Sequence, residues 1–224
     1  MLKIERTEIP YSCWEVAIRG MRNPLNSWEK SDTNYDVMKF HYLDGGDPVT
    51  PDIGEADLGL MMRLAKGGAT HAKYRRMLMV SLDITAPLYW WKEFDTYKVG
   101  TVANSCSTMH KIHAKEFTWD DFSAEHIGNV PNCDPAYEQA FEFVIMMLNE
   151  ARRCYLDTND KCYWHQMIQL LPTSYNQKRT VMLNYEVLVG IYKWRRNHKL
   201  DEWEDFCDWI ESLPYSELIT GKEG

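Results

Sequence analysis

The sequence predicts an α+β fold in which several long helices accompany a modest antiparallel sheet. Residues 135–156 form the clearest helical pattern, with apolar side chains recurring about every 3.6 residues. Residues 74–84 alternate instead, with Leu78, Val80 and Leu82 on one side, which is typical of a strand covered on at least one face. Because the 224 residues contain no repeat, low-complexity tract or interdomain linker, we expect one domain spanning 1–224.

The first part of the chain is expected to hold little regular structure. Residues 1–50 predict an N-terminal arm and loops, because Gly, Pro and Asn punctuate residues 20–32. Trp14 and Trp28 are expected to pack back onto the domain. The core of the domain is expected over residues 55–213.

The elements of this core are predicted in chain order. Glu55–Ala65 is a helix ended by two glycines, and Pro87 suits the first turn of the helix that follows the 74–84 strand. Phe117–Ile127 is expected as a short acidic helix after the cap candidate Thr118. The remaining predicted elements are a helix at Lys161–Leu171, a short strand at Tyr175–Leu183, and helices at Tyr185–Arg196 and Leu200–Leu213. The 135–156 helix is expected to bury Tyr137, Phe141, Val144, Ile145, Met147 and Leu148.

Composition indicates a soluble protein with large aromatic surfaces. Nine tryptophans and thirteen tyrosines predict flat contacts inside the domain, against a partner chain or under a planar ligand. The net charge of −8 argues against binding of nucleic-acid polymers. No apolar run has signal or membrane-spanning length, and the six scattered cysteines include no C-x-x-C pair. We therefore expect a cytoplasmic protein with reduced thiols and no membrane partner.

The stretch from Pro87 to His113 carries the most candidate chemistry. It begins as an aromatic amphipathic helix, in which the Trp90-Trp91 pair is expected to be exposed, and it ends in a run of short polar side chains. The polar run contains Asn104, Ser105, Ser107 and Thr108. Such a run suits a tight turn that points polar groups at a ligand, and it also suits a capped loop after a core helix.

Generic catalytic motifs are absent from this stretch. His110 and His113 with Glu116 could begin a metal site, but no Cys or Asp completes a ligand set, so no metal is expected. Cys106 and Ser107 lack a G-x-S-x-G elbow and identifiable His and Asp partners. Taken alone, the residues predict a polar turn and no reaction.

The same stretch resembles the signature R-H-R-x-x-S-x-N-E-x-S-x-R of the flavin-dependent thymidylate synthases, counted from Pro87. The Arg-His-Arg triplet falls on Thr96, Tyr97 and Lys98, and the first serine of the signature falls on Thr101. With one extra residue, Ala103, the Asn-Glu-x-Ser part falls on Asn104, Ser105, Cys106 and Ser107, and the last arginine falls on Met109 beside His110.

Two further matches extend the resemblance over roughly residues 65–210. His71 lies sixteen residues before the proline, where the family has a flavin-contacting histidine. Downstream, a Leu-Pro step leads through a strand to Asn184, and Arg195 and a Glu-Trp-Glu sequence follow as they do in the family.

The resemblance implies a fold like that of the thymidylate-synthase-complementing proteins and a homotetramer with FAD at subunit interfaces. The family transfers a methylene group from methylenetetrahydrofolate to deoxyuridine monophosphate (dUMP). FAD, reduced by NADPH, carries the hydride, and no protein nucleophile takes part. We therefore expect a methyltransferase of the thymidylate synthase type, or a related C5 alkylation of a small-molecule nucleotide.

The resemblance also implies roles for single residues. The catalytic candidates are Arg195, at the position of the pyrimidine-activating arginine, and Ser107, at that of a nucleotide-binding serine. The flavin-binding candidates are His71, Tyr97, Lys98, Asn104 and Asn184. The substrate-binding candidates are Glu93, Ser105, Ser107 and Arg195. Each candidate also has a structural interpretation, as a helix-end cation, a cap, a turn residue or a satisfied buried polar group.

Several positions depart from the family pattern. Lys98 is the only cation left of the triplet, and a lysine does not reproduce an arginine fork. Tyr97 replaces the histidine and can stack, but it carries no charge at neutral pH. Glu186 replaces an arginine, a charge reversal that would repel a flavin or nucleotide phosphate. Arg75 and Arg76 are among the cations that could substitute.

Three hypotheses follow. The first is a divergent flavin-dependent thymidylate synthase. The second keeps the fold and the nucleotide pocket without redox catalysis, which the lost arginines and Glu186 favour. The third is a helical interaction domain whose aromatic faces dock a partner protein. The third predicts that Asn104, Ser107 and Arg195 are scattered, whereas the first two predict one shared pocket.

Overall fold

The structure, a computed structural model, describes residues 1–43 and 45–222. Its strands are β1 (Lys3–Glu8), β2 (Asn34–Phe40), β3 (Val49–Asp52), β4 (Met79–Pro87), β5 (Val102–Ser105) and β6 (Asn176–Asn184). Its α-helices are α1 (Tyr11–Arg22), α2 (Glu55–Lys66), α3 (Leu88–Phe94), α4 (Ala136–Thr158), α5 (Lys161–Leu170), α6 (Tyr185–Arg195), α7 (Asp201–Ser212) and α8 (Glu217–Thr220). The predicted α+β class is confirmed.

The strands form two sheets. The larger sheet has four strands in the order β1-β4-β6-β5. The smaller sheet pairs β2 with β3 in antiparallel fashion, and its register shifts between Asn34 and Met38. The predicted strands near residues 74–84 and 175–183 correspond to β4 and β6, the two central strands of the larger sheet.

The chain divides into two compact units. The first unit comprises Met1, Thr85–Phe94 and Ser105–Arg179, and the second comprises the rest of the described chain. A single domain over residues 1–224 therefore stays a prediction.

The first unit has an aromatic core. Phe141 of α4 meets the rings of Trp119 and Phe122 edge-on, at 5.0 Å and 5.3 Å between ring centroids. The expectation that Trp90-Trp91 is exposed is wrong, because both rings are fully buried. The Trp91 indole N–H donates to a backbone carbonyl 2.9 Å away, so even its polar edge is satisfied inside the unit.

Two helix predictions in the first unit need correction. Residues 117–127 do not form an α-helix, since only Trp119–Asp121 are helical, as one 3₁₀ turn capped by Thr118. On α4, Phe141 is buried as predicted, but Tyr137 and Met147 are 66% and 38% exposed. The buried residues of α4 are Phe141, Leu148 and Ala151, so the stripe that contacts the core is narrower than predicted.

The second unit packs around α6. Tyr185, Leu188 and Ile191 of this helix are fully buried. Trp14 of α1 meets the Tyr185 ring edge-on at 5.9 Å. The Tyr185 hydroxyl donates to the carbonyl of Pro214 at 2.6 Å, and burial raises the pKa of this phenol well above its usual value.

Residues 1–50 are more regular than the predicted arm and loops, because they contain β1, α1 and β2. The helical pattern of α1 is hard to recognise in the sequence because Asn and Pro residues follow it directly, in a short 3₁₀ turn. Trp14 packs into the unit as predicted, whereas Trp28 does not and is 50% exposed.

The predicted helix after residue 54 is confirmed as α2, and the following strand begins later than predicted. Residues Lys73–Arg76 form a 3₁₀ turn, so β4 starts at Met79. Pro87 is the last residue of β4, and α3 starts one residue after it.

A buried ion pair ties α1 to α2 in the second unit. The Arg22 Nε donates to the Asp57 carboxylate at 2.6 Å, and the Asp57 side chain is fully buried. The same carboxylate accepts hydrogen bonds from the hydroxyls of Ser31 and Thr33, both at 2.7 Å. Burial alone would raise the pKa of Asp57, but these hydrogen bonds and the Arg22 charge outweigh it and lower the pKa.

We expect Asp57→Asn to lower the free energy of unfolding by about 3–5 kcal/mol at pH 7, because it leaves the Arg22 charge buried and unpaired. A lowered pKa in the folded state stabilises the fold above the carboxyl's unfolded value of about 3.9, and this contribution disappears as the pH falls through the folded value. Urea unfolding at pH 7 and below pH 4 should therefore show the gap between wild type and variant narrowing in acid.

Asp52→Asn is the control, because Asp52 forms only a half-exposed ion pair with Lys39. Its cost should stay within about 1 kcal/mol. An Asp57→Asn protein as stable as the Asp52→Asn protein would contradict the assignment.

Candidate functional site

The junction between β6 and α6 positions the first group of candidate residues. Asn184 ends β6 and is the N-cap of α6, where its side-chain oxygen accepts a hydrogen bond from the Val187 N–H at 3.1 Å. Asn184 is predominantly buried, at 8% exposure. The strand passes directly into the helix, so the cap fixes both the chain direction and the amide orientation.

A cavity of about 440 Å³ opens at this helix end in the second unit. Its lining comprises Arg76, Thr96, Tyr97, Val99, Gly100, Asn184, Glu186, Val187 and Gly190. This size is within the range of small-molecule sites, which reach from about 300 to 1,000 Å³. Two of the predicted flavin-binding residues, Tyr97 and Asn184, therefore share one cavity.

Gly100 keeps this cavity open. Its φ of +81° is a left-handed conformation, and a Cβ there would lie 3.0 Å from Val187 Cγ2 and 3.3 Å from Asn184 Nδ2. Any larger residue would have to push against the wall made by these two side chains. The glycine allows a ligand to approach the backbone at the N-terminus of α6.

A neighbouring cation offsets the negative charge of Glu186. Glu186 Oε2 lies 3.5 Å from Arg75 Nη1, with side-chain exposures of 18% and 6%. Glu186 also lies in the first turn of α6, where the helix dipole favours a carboxylate. Glu186 therefore lines the cavity as half of a balanced ion pair, and Arg76 is an exposed cation in the same lining.

Arg195 lies at the other end of α6. Its Nε donates to the Tyr97 hydroxyl at 2.9 Å, and its guanidinium carbon lies 4.7 Å from the centroid of the buried Trp203 ring. Arg195 occupies the last turn of the helix, where a cation interacts favourably with the dipole. Because α6 rises about 1.5 Å per residue, Arg195 is roughly 16 Å along the axis from Asn184.

Tyr97 connects the two ends of the site. It lines the cavity at the N-terminus of α6 and also accepts the hydrogen bond from Arg195. Sequence reasoning identified both residues but not their contact, since 98 positions separate them.

The other flavin-side candidates of the second unit do not line this cavity. His71 is exposed in the turn after α2, and Lys98 and Asn104 are exposed before and within β5. The cavity instead uses Arg76 and Gly100, which sequence reasoning did not assign to the site. Arg76 was predicted only as one of several possible substitute cations, whereas the role of Gly100 depends on its φ and has no sequence signal.

The remaining candidates belong to the first unit. Glu93 is half-buried on α3, and Ser105 is exposed at the end of β5. The Ser107 hydroxyl oxygen accepts a hydrogen bond from the His110 N–H at 2.9 Å. Ser107 lines a second cavity, of about 270 Å³, together with Cys106, Lys111, Ile112, Lys115, Phe117 and Tyr175. The two lysines of this cavity were not identified from the sequence. Of Asn104, Ser107 and Arg195, which the two nucleotide-site hypotheses predict in one pocket, only Ser107 lines either cavity, so the shared pocket stays a prediction.

No cluster of three metal-ligating side chains occurs among residues 1–43 and 45–222. His113 packs its ring against Tyr155 at 4.9 Å between centroids. None of the helices described is long and apolar enough to cross a membrane.

The residues around the first cavity fit part of a flavin nucleotide. Tyr97 offers an aromatic face, Asn184 an amide and Arg76 a cation, while Gly100 leaves room where a Cβ would intrude. These are the groups that a flat ring system and a phosphate require.

Comparison with known proteins places the fold. No protein-family model and no curated protein matches the sequence. Solved structures do match. Flavin-dependent thymidylate synthase ThyX from Helicobacter pylori, complexed with FAD and dUMP, superposes with a TM-score of 0.63 at 15% identity, over 98% of this chain and 96% of that one. The UMP/dUMP methylase PolB from Streptomyces cacaoi, bound with 5-Br dUMP, gives a TM-score of 0.61 at 13% identity, over 99% and 94% of the two chains.

The chain therefore has the fold of the flavin-dependent thymidylate synthases, and the resemblance predicted from the sequence is confirmed at the level of the fold. The similarity in fold extends over nearly the whole length of each chain.

Gly100→Ala should reduce the free energy of unfolding by about 1–2 kcal/mol, because alanine disfavours the left-handed conformation. The new methyl group should also obstruct the cavity. Gly190→Ala is the matched control, because Gly190 lines the same cavity but has open space where a Cβ would lie. Because Gly190 lies inside α6, its change to alanine should raise the free energy of unfolding by about 0.5–1 kcal/mol. Equal effects of the two substitutions in urea unfolding would refute this assignment.

Proposed function

We propose that this protein is a divergent enzyme of the flavin-dependent thymidylate synthase type, which binds FAD and methylates dUMP or a related pyrimidine deoxynucleotide at C5. The observation that carries the proposal is the cavity at the N-terminus of α6, linked to Arg195 through Tyr97, in a chain with this fold. The similar structures contain FAD and dUMP or a brominated dUMP, which supports the ligand class.

Three residues would hold the flavin nucleotide in the first cavity. Asn184 would bond a polar edge of the ring or sugar, Tyr97 would pack against an aromatic ring, and Arg76 would neutralise a phosphate. Bound FAD would supply hydride transfer, with NADPH as reductant and methylenetetrahydrofolate as one-carbon donor. His71, Lys98 and Asn104 stay proposed flavin-side residues, and their exposure suits contacts across a subunit interface in the proposed homotetramer.

Arg195 would activate the pyrimidine. When C5 attacks the one-carbon unit, electron density shifts within the ring, and a fixed cation beside the ring stabilises the charge that develops. The Tyr97 hydroxyl and the Trp203 face hold the guanidinium in one orientation before the substrate arrives. Ser107 would donate its hydroxyl proton to the substrate, since its oxygen already accepts from a backbone N–H. Glu93 and Ser105 stay proposed substrate-binding residues, and the cytoplasmic location stays a prediction.

The absorption spectrum of the purified protein tests cofactor binding first. We expect the two visible bands of oxidised flavin, either as isolated or after addition of FAD and gel filtration. A protein that takes up no FAD at any concentration tried would refute the flavoenzyme proposal.

Arg195→Ala should lower the rate of dUMP turnover roughly 100- to 1,000-fold, the usual effect of removing one preorganised donor at a developing charge. FAD binding should be retained, because Arg195 does not line the flavin cavity. Arg196→Gln is the control, since Arg196 is the next residue and pairs with Asp208 and Glu211 on the surface. Turnover that survives in Arg195→Ala, or falls equally in both variants, would remove Arg195 from the proposed mechanism.

A second candidate function, nucleotide binding without redox chemistry, is favoured by the Glu186 carboxylate in the cavity lining. This carboxylate lowers the positive potential that a pyrophosphate needs, even though Arg75 balances it. A protein that takes up no FAD but is stabilised against heat by dUMP would support this candidate, because a ligand that binds only the folded state raises the melting temperature.

The variant Glu186→Gln tests how much this negative charge weakens ligand binding. Removing it leaves the Arg75 charge uncompensated, so FAD or dUMP should bind about fivefold more tightly if a phosphate lies near the cavity. The variant should also be less stable, because a buried cation loses its partner. Isothermal titration measures the affinity, with the exposed Glu204→Gln as control. Unchanged binding by the folded Glu186→Gln protein would exclude a phosphate from this cavity.

A further inference from the structure

The second cavity combines a thiol with cationic side chains. Cys106 is exposed and lines this cavity next to Ser107, Lys111 and Lys115. Two hydrogen bonds fix the backbone of Cys106: its N–H donates to the Lys178 carbonyl at 2.9 Å, and the Gln177 side-chain amide donates to its carbonyl at 2.7 Å.

The net charge of this cavity is positive although the protein as a whole is acidic. Lys115 forms an ion pair with Asp121, which neutralises its charge. Among the described residues no carboxylate forms an ion pair with Lys111, which is exposed. The pKa of the Tyr175 phenol responds to both the thiol and Lys115: burial and Asp121 raise it, Lys115 lowers it and Cys106 raises it. These side chains therefore lie within electrostatic range of one another.

The other cysteines lack this combination of exposure and positive surroundings. Cys162 is also exposed, but its hydrogen bond with Asp160 raises the pKa of its thiol. Partial burial and Glu150 raise the pKa of Cys154. Cys207 is buried, which raises its pKa to about 11. Cys13 and Cys133 are half-buried and line neither cavity.

We propose that Cys106 is a selective modification site for small anionic disulfides, such as glutathione disulfide, which Lys111 attracts into the second cavity. A thiol beside lysines in a partly open pocket has the surroundings of a reactive cysteine. Negatively charged reagents gain from the lysine, whereas the carboxylates next to Cys154 and Cys162 repel them.

The reaction is a thiol–disulfide exchange. Cys106 loses its proton to solvent, and the thiolate attacks one sulfur of the disulfide. The reagent's S–S bond breaks as the new S–S bond forms, so the Cys106 sulfur is oxidised and the departing half leaves as a reduced thiolate. Modification fills the cavity that Ser107 lines and adds negative charge there, so it would exclude an anionic substrate. This last consequence rests on the function proposed for Ser107, whereas the modification itself does not.

The test compares two disulfide reagents on the purified, reduced full chain. One is the dicarboxylate dithiobis-nitrobenzoate and the other is a neutral dipyridyl disulfide. We expect the dicarboxylate to react first at Cys106, as mapped by mass spectrometry of peptides after brief exposure. Cys106→Ser should abolish the fast phase, and glutathione disulfide should modify the same residue.

Lys111→Gln should slow the reaction of the dicarboxylate at Cys106 about fivefold, and leave the rate with the neutral reagent unchanged. Lys92→Gln is the matched control, because Lys92 is an exposed lysine of the same unit that does not line the cavity. First reaction at any other cysteine, or a Lys111→Gln effect equal for both reagents, would overturn the proposal. These rates need neither FAD nor turnover, so their outcome is separate from that of the proposed function.

Discussion

The capping hydrogen bond of Asn184 is the constraint on which the candidate site depends. It joins the central strand β6 to α6 without an intervening loop, and it sets the direction in which the helix leaves the sheet. Two site features follow from that direction: the open helix end at the cavity and the cation in the last turn. The buried Tyr185 next to the cap anchors this junction, because Trp14 and the Pro214 carbonyl contact it from two sides.

The electrostatics of the second unit show how the carboxylate of Glu186 is balanced by a neighbouring cation. A largely buried carboxylate at position 186 would be costly without a cation beside it, yet Arg75 lies against it and leaves the pair close to neutral. Arg76, the next residue, then supplies the positive charge of the cavity from the turn before β4. Both arginines lie in the turn before β4, so a ligand in this cavity would meet its cation there.

Local patterns predicted the elements well where a side chain's environment is set by its own helix or strand. Examples are the alternation that predicted β4 and the helical periodicities that predicted α2, α6 and α7. Predictions that depended on neighbours failed: Trp90-Trp91 looked exposed on a short helix, but the chain folds over both rings. The same limit applies to the site. Arg195 was predicted from the resemblance, whereas Lys111 and Gly100 become candidates only through the packing around the two cavities and a positive φ.

The contact between Tyr97 and Arg195 gives a physical reason for a tyrosine at position 97. A histidine at position 97 could become protonated, and it would then repel a guanidinium 2.9 Å away. A tyrosine hydroxyl is neutral and accepts the Arg195 N–H, so it holds the cation without opposing it. Trp203 stabilises the other face of the guanidinium, and its full burial fixes that surface. An arginine that merely ended a helix would need neither partner, since water and the dipole would suffice. The pair therefore holds the guanidinium charge in one orientation, as the proposed activation of a pyrimidine requires.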